Sequence, residues 1–139
     1  MSSLQEFLNN NPIDNITKEV PISERLKDDK GNLLLFKIKG MTGDEFEDLR
    51  KKSTKTDLRK GKRSVAFDNK TFNEQMVINH TIEPDFKSAA SIEALKCTSP
   101  SQYLNKVLLA GEIIELSNQI QTLSGFELDL SELVEEAKN

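Results

Sequence analysis

The chain has 139 residues, of which 36% are hydrophobic and 30% charged, and its net charge is −4. That composition suits one water-rich globular domain and excludes a disordered chain. Nothing approaches the roughly 20 consecutive apolar residues of a membrane-spanning helix, and the one Cys and one His exclude an intrachain disulfide and leave a metal site little to use.

Residues 1–12 read as a short N-terminal arm, with one helical turn over residues 4–8 broken at Asn9-Asn-Asn-Pro12. Residues 13–139 read as a single domain. Apolar residues fall on even positions at Val20, Ile22 and Leu26, and again at Leu34, Phe36 and Ile38. Period 2 on both sides of Asp28-Asp-Lys-Gly-Asn32 predicts a β-hairpin. Pro21 cannot donate to a ladder, so the first strand is expected at an edge. Leu33 and Leu35 point to the opposite face, which is expected to be partly covered.

After Gly40 the period becomes helical. Thr42 and Glu45 have the spacing of a capping box, and Phe46 and Leu49 share one face of the helix that follows. The segment from Arg50 to Arg63 then carries eight cations against one anion, Asp57. It reads as a flexible, solvated basic loop near 51–66. Asp68 is placed to cap a helix through Phe72 and Met76. Glu83-Pro84 predicts an extended exit, and Ser88 a short helix near 88–96.

Ser99-Pro100 is a strong helix start, with Ser at the N-cap and Pro at the first helical position. The periodicity runs to Leu123, predicting one long helix near 100–123, with Gly125 as its stop and Phe126 closing the cap. Its apolar arc is wider than one neighbour covers. It serves either as the central core helix or as a surface that receives an amphipathic helix. On the second reading Leu109, Ile113, Leu116, Ile120, Leu123 and Phe126 are the candidate partner-binding residues. A final helix is expected from near Asp129 or Ser131. The whole predicts a helix-dominant α+β fold, an N-terminal β-hairpin followed by about five helices.

No constellation supports catalysis. His80 and Cys97 make the one nucleophile-type pair, and nothing in their spacing supplies a third, orienting group. Glu112 and Glu115 sit on the polar stripe of the long helix. Gly61-Lys-Arg-Ser64 resembles the tail of a phosphate loop, but Thr56 stands where that motif needs Gly. No catalytic, cofactor-binding or metal-binding residue is therefore assigned. The basic segment can neutralise phosphates, so a small nucleic-acid-binding regulator using residues 50–63 is the alternative function. It lacks the interleaved aromatics that single-strand binders use. The first residues have neither the cationic nor the apolar region of a secretory signal, so a cytosolic location is expected.

Several segments in order resemble the tail assembly chaperone family of PBSX-type phages and prophages of Gram-positive bacteria. They are Asn11-Pro-Ile-Asp-Asn15, Glu19-Val-Pro-Ile-Ser23 with Arg25, Phe36-Lys-Ile-Lys-Gly-Met-Thr-Gly43 followed by Glu45-Phe46, and Glu83-Pro-Asp-Phe-Lys87. They continue with Leu104-Asn-Lys-Val-Leu-Leu-Ala-Gly-Glu-Ile113, Glu115-Leu-Ser117, Leu123-Ser-Gly-Phe126 and Glu132-Leu-Val-Glu-Glu-Ala-Lys-Asn139. The basic segment 50–63 matches least. The resemblance implies a non-enzymatic protein of the host bacterial cytoplasm, absent from the mature virion and without cofactor or metal. Its implied partner is the tape measure protein, kept soluble until the tail tube polymerises. The tail tube protein and further copies of the chain are additional candidate partners, whereas membrane is excluded and nucleic acid disfavoured.

Overall fold

The alternation of apolar residues builds the sheet. In the computed structural model, which describes residues 2–14, 16–59 and 61–126, β1 (Thr17–Pro21) pairs antiparallel with β2 (Leu35–Lys39). Val20 lies opposite Phe36 and Lys18 opposite Ile38. Val20, Phe36 and Ile38 are buried on one face. β1 is an edge strand, which leaves Pro21 no ladder bond to break. The connection narrows at an isolated bridge between Lys27 and Leu33. There the Asp28 carboxylate accepts the Lys30 and Asn32 amides, and Gly31 takes the positive φ the turn requires. The other face is less covered than expected, since Leu33 and Leu35 are exposed; Leu34, an even-position residue just before β2, is exposed as well.

The far edge is closed by β5 (Thr81–Glu83), which pairs antiparallel with β2 to give the order β1-β2-β5. Three residues are too few for a period-2 signal, so the sequence shows only an extended exit there.

Helix starts follow the capping chemistry. In the arm, Ser2 caps α1 (Ser3–Asn10), two turns rather than one, with no buried side chain. Thr42 and Glu45 form the reciprocal capping box of α2 (Gly43–Lys52) at 3.2 and 3.0 Å. Asp68, Ser88 and Ser99 cap α3 (Asn69–His80), α4 (Ala89–Ala94) and α5 (Pro100–Val107). α3 is the central helix. It touches α2, α5, β5 and α6 (Ala110–Leu123), and it buries Met76, Val77 and Ile78 with Glu74 and His80. Glu74 is satisfied at the α3–α5 contact by Ser101 Oγ and by Asn105 Nδ2 at 3.0 Å. The core joins the sheet face to Leu49, Phe86, Leu104, Leu116 and Ile120.

Two expectations are corrected. The basic segment near 51–66 is not a loop: Thr54–Arg59 (β3) and Lys62–Phe67 (β4) form an antiparallel hairpin with Thr56 opposite Val65. Alternation of Thr54, Thr56 and Leu58 with charged residues is the signal, and the charge density conceals it. Secondly, the single helix near 100–123 is two. Leu108 (φ −120°, ψ 145°) and Leu109 (φ −73°, ψ 155°) are extended between α5 and α6. No Gly or Pro marks the break; long-range bonds described below hold it. The helix expected from near Asp129 or Ser131 lies outside the described residues.

Candidate functional site

The matched segments meet one another in space. From the β1–β2 connection Arg25 reaches the α5–α6 break. Its Nε and Nη2 donate to the Glu112 carboxylate at 2.8 and 2.6 Å, and Nη2 also donates to the Val107 carbonyl at 2.9 Å. The same carboxylate accepts the Leu109 amide at 2.7 Å. Glu112 is thus the third residue of α6 and supports its first turn, while Arg25 satisfies a carbonyl left orphaned at the end of α5. The Arg25 guanidinium, helped by the Leu109 amide, holds the Glu112 pKa down at about 2 against burial. Glu112, which reads as a solvated helix-face residue in the sequence, is buried.

A second junction lies at the other end of α6. Gly125 (φ +95°) ends the helix, with Phe126 N–H donating to the Gln121 carbonyl at 3.0 Å and Gly125 N–H to that of Thr122 at 3.1 Å, a Schellman pair. Ser124 Oγ accepts the Met41 amide at 2.8 Å. A Cβ at Gly40 would stand 3.3 Å from the Leu123 carbonyl oxygen, so the glycine allows this close approach.

These junctions decide which of the six candidate partner-binding residues face outward. Leu116 and Ile120 are 0% exposed and Ile113 is 7%, all within the core, and Leu123 packs against it. Leu109 (60% exposed) and Phe126 (39%) are open. They stand at opposite ends of α6, whose 14 residues span roughly 21 Å at 1.5 Å per residue. The structure therefore does not assemble the six into one outward stripe.

Beside the break lies an apolar groove of 370 Å³, lined by Leu26, Leu34, Phe36, Phe86, Tyr103 and Val107 among others. The sequence could not show it, because its walls come from the β1–β2 connection, β2, the β5 exit and α5. The exposure of Leu34 and Leu35, which line it, is its signature. Leu109, on the same break, is the candidate residue nearest to it in sequence.

The basic hairpin offers no comparable nucleic-acid site. Its register puts Lys55, Arg59 and Lys62 on one face with Asp57, Ser64 and Ala66, and no aromatic ring among them. Lys55 pairs with Asp68 at 3.0 Å, and Arg59 with Asp57 at 2.9 Å. His80 and Cys97 share no hydrogen bond. His80 is buried with its pKa lowered by desolvation, and Cys97 Sγ meets only the Leu95 carbonyl at 3.7 Å. Among the described residues no group of three or more His, Cys, Asp or Glu side chains is placed to hold a metal ion. No helix among them is long and apolar enough to cross a membrane.

With this geometry in view, a family model described as phage XkdN-like tail assembly chaperone protein matches residues 4–138. The phage-like element PBSX protein XkdN of Bacillus subtilis (strain 168) is 38% identical over 123 residues, 87% of this chain and 83% of that protein. Protein YqbN of the same strain is 34% identical over the same shares. The crystal structure of the protein YqbN superposes with a TM-score of 0.70 at 29% identity, covering 91% of this chain and 99% of that one. The chain belongs to the XkdN-like phage tail assembly chaperone family. The role of that family is tail assembly, which is not an enzymatic one, and it points to phage tail proteins as partners.

Proposed function

We propose that this chain binds the phage tape measure protein in the host bacterial cytoplasm and keeps it soluble until the tail tube polymerises. It then leaves and is absent from the mature virion. Residues 13–139 act as one domain, with residues 1–12 as an arm.

The observation that carries the reading is the apolar groove bounded by Leu34, Leu35, Phe36, Tyr103 and Val107, with Leu33 and Leu109 exposed and adjacent in sequence to the lining residues Leu34 and Leu108. A long protein of amphipathic helices exposes apolar stripes and self-associates unless they are covered. A groove between a sheet end and a helix suits one such stripe, read through residues spaced three and four apart. Each contact needs only modest strength. Many copies along one tape measure add up through avidity, and each remains displaceable by an arriving tube subunit. In this reading Leu109 touches the partner, Leu123 and Phe126 border a second apolar surface, and Ile113, Leu116 and Ile120 act by holding α6 in place.

The test is co-purification of tape measure protein with Leu34→Asp/Leu109→Asp. Both side chains are exposed, so the variant should keep wild-type circular dichroism while losing most of the bound tape measure. A folded double variant that retains wild-type binding places the contact elsewhere.

A further inference from the structure

The N-terminal arm carries an apolar face that nothing described so far uses. Leu4, Phe7 and Leu8 fall at i, i+3 and i+4 on α1 and are 69%, 61% and 55% exposed. Gln5, Glu6, Asn9 and Asn10 supply its polar side. The ends of α1 are closed locally: Ser2 Oγ accepts the Gln5 amide at 3.1 Å, and Asn11 Nδ2 donates to the Phe7 carbonyl at 2.8 Å. A helix of eight residues is marginal in water by itself and is stabilised mainly by packing its amphipathic face. None of its side chains is buried within the chain.

The same chain carries a receptor for such a face. The groove beside the α5–α6 break is apolar along Leu34, Leu35, Phe36, Tyr103 and Val107 and has a volume of 370 Å³. An apolar cavity of about 150 Å³ already takes a benzene ring, so a Phe side chain fits. A docked helix reads such a groove through residues at i, i+3 and i+4. The charges agree. Residues 1–14 contain Glu6 and Asp14 and no Lys or Arg. Lys27 and Lys106 adjoin the lining residues Leu26 and Val107 in sequence, and the lining itself contributes one acid, Glu83.

Reach decides whose groove the arm fills. The Ile16 carbonyl accepts the Gly40 amide at 2.9 Å, which holds the chain in line with β1. The groove lies at the other end of β1, where Pro21 pairs with the lining residue Leu35. Ile16 to Pro21 spans roughly 17 Å. Residues 11–15 reach at most about 18 Å when fully extended. Folding back in cis would use up that linker before α1 entered the groove, whereas a second copy imposes no such limit.

We propose that α1 of one copy docks in the apolar groove of a second copy, in a reciprocal exchange of arms that makes a two-fold dimer. Phe7 is the anchor, flanked by Leu4 and Leu8, with Glu6 toward Lys27 and Lys106 at the rim. The exchange covers two open apolar surfaces at once. A consequence that rests on the chaperone reading is that the arm is a tethered competitor, which a tape measure stripe must displace.

The test uses the full chain without tape measure protein. Light scattering should give twice the 15.7 kDa chain mass for wild type. Leu4→Asp/Phe7→Asp alters two exposed side chains, so circular dichroism should match wild type while the dimer dissociation constant rises by about thirtyfold or more. Leu34→Asp, on the groove side, should do the same. Mixing the two variants should restore a heterodimer, because the arm of one and the groove of the other are intact. A benzophenone amino acid at position 7, in a mixture of isotopically heavy and light chains, should link to groove peptides of the other isotope. A chain that is monomeric at every concentration, a dimer indifferent to Leu4→Asp/Phe7→Asp, no rescue on mixing, or links confined to one isotope would overturn the proposal. None of these readouts involves the tape measure protein, so arm exchange and the chaperone reading fail separately.

Discussion

Arg25 and Glu112 stand 87 positions apart in sequence, and their bidentate contact at 2.8 and 2.6 Å fixes where α5 ends and α6 begins. The arginine comes from the β1–β2 connection, so the ion pair also ties the sheet to the C-terminal helices. Its carboxylate is buried while its guanidinium reaches solvent. The pair is therefore valuable chiefly because loss of Arg25 would leave a buried charge unpaired.

The pH dependence follows from that contact. The folded pKa of Glu112 is about 2, below its ordinary 4.5. A depressed carboxylate pKa contributes stability that is present in full above about 4.5. That stability is lost as pH falls from there through about 2. Urea midpoints measured between pH 6 and pH 2 should decline through this window in wild type. Glu112→Gln should be less stable at pH 6 and should lose less on acidification. Parallel profiles for the two proteins would contradict the assignment.

Leu116 tests the burial of α6. It is fully buried among α3, α6 and the sheet, so Leu116→Ala should cost about 2–5 kcal/mol by urea denaturation. Ile114→Ser, at an exposed neighbour on the same helix, should stay within about 0.5 kcal/mol of wild type. Equal effects at the two positions would mean that the helix is rotated.

At the other end of α6, Ser124 Oγ accepts the Met41 amide and donates to the Ile120 carbonyl at 2.6 Å. Ser124→Ala leaves a half-buried amide without its acceptor and should cost about 1–2 kcal/mol in urea. Gly40→Ala should also destabilise, since its Cβ would press on the Leu123 carbonyl oxygen at 3.3 Å. The double variant should fall short of additivity, because both changes loosen one junction.

The capping box gives a local counterpart. Thr42→Ala removes the acceptor of the Glu45 amide at 3.2 Å and should lower stability by about 1 kcal/mol. The response should be seen in thermal unfolding without any change in tape measure binding.

The fold is legible in the sequence where the signal is local. Thr42, Asp68, Ser88, Ser99 and Gly125 each mark a helix end by their own chemistry, and the even-position alternation from Val20 to Ile38 sets β1 against β2. It is hidden where a distant partner decides. The stretch at Leu108–Leu109 holds neither Gly nor Pro itself, and Gly111 lies inside α6, so it is the contact of Arg25, from another part of the chain, that accounts for the extended backbone. Periodicity likewise put Leu109, Ile113, Leu116 and Ile120 on an apolar arc without indicating that α3 and the sheet cover most of it. The hairpin at 54–67 was hidden for another reason. Its strands are charged on one face and open on both, so composition resembled a loop. The apolar groove lay outside what periodicity can show, because four separate segments build it.

The chaperone reading is tested most directly by co-expressing the full chain with the tape measure protein, followed by size exclusion with light scattering. The account predicts that the tape measure becomes soluble and elutes with several copies of this chain. The same peak should be lost for Leu34→Asp/Leu109→Asp. A tape measure that still aggregates while this chain elutes alone and folded would contradict it.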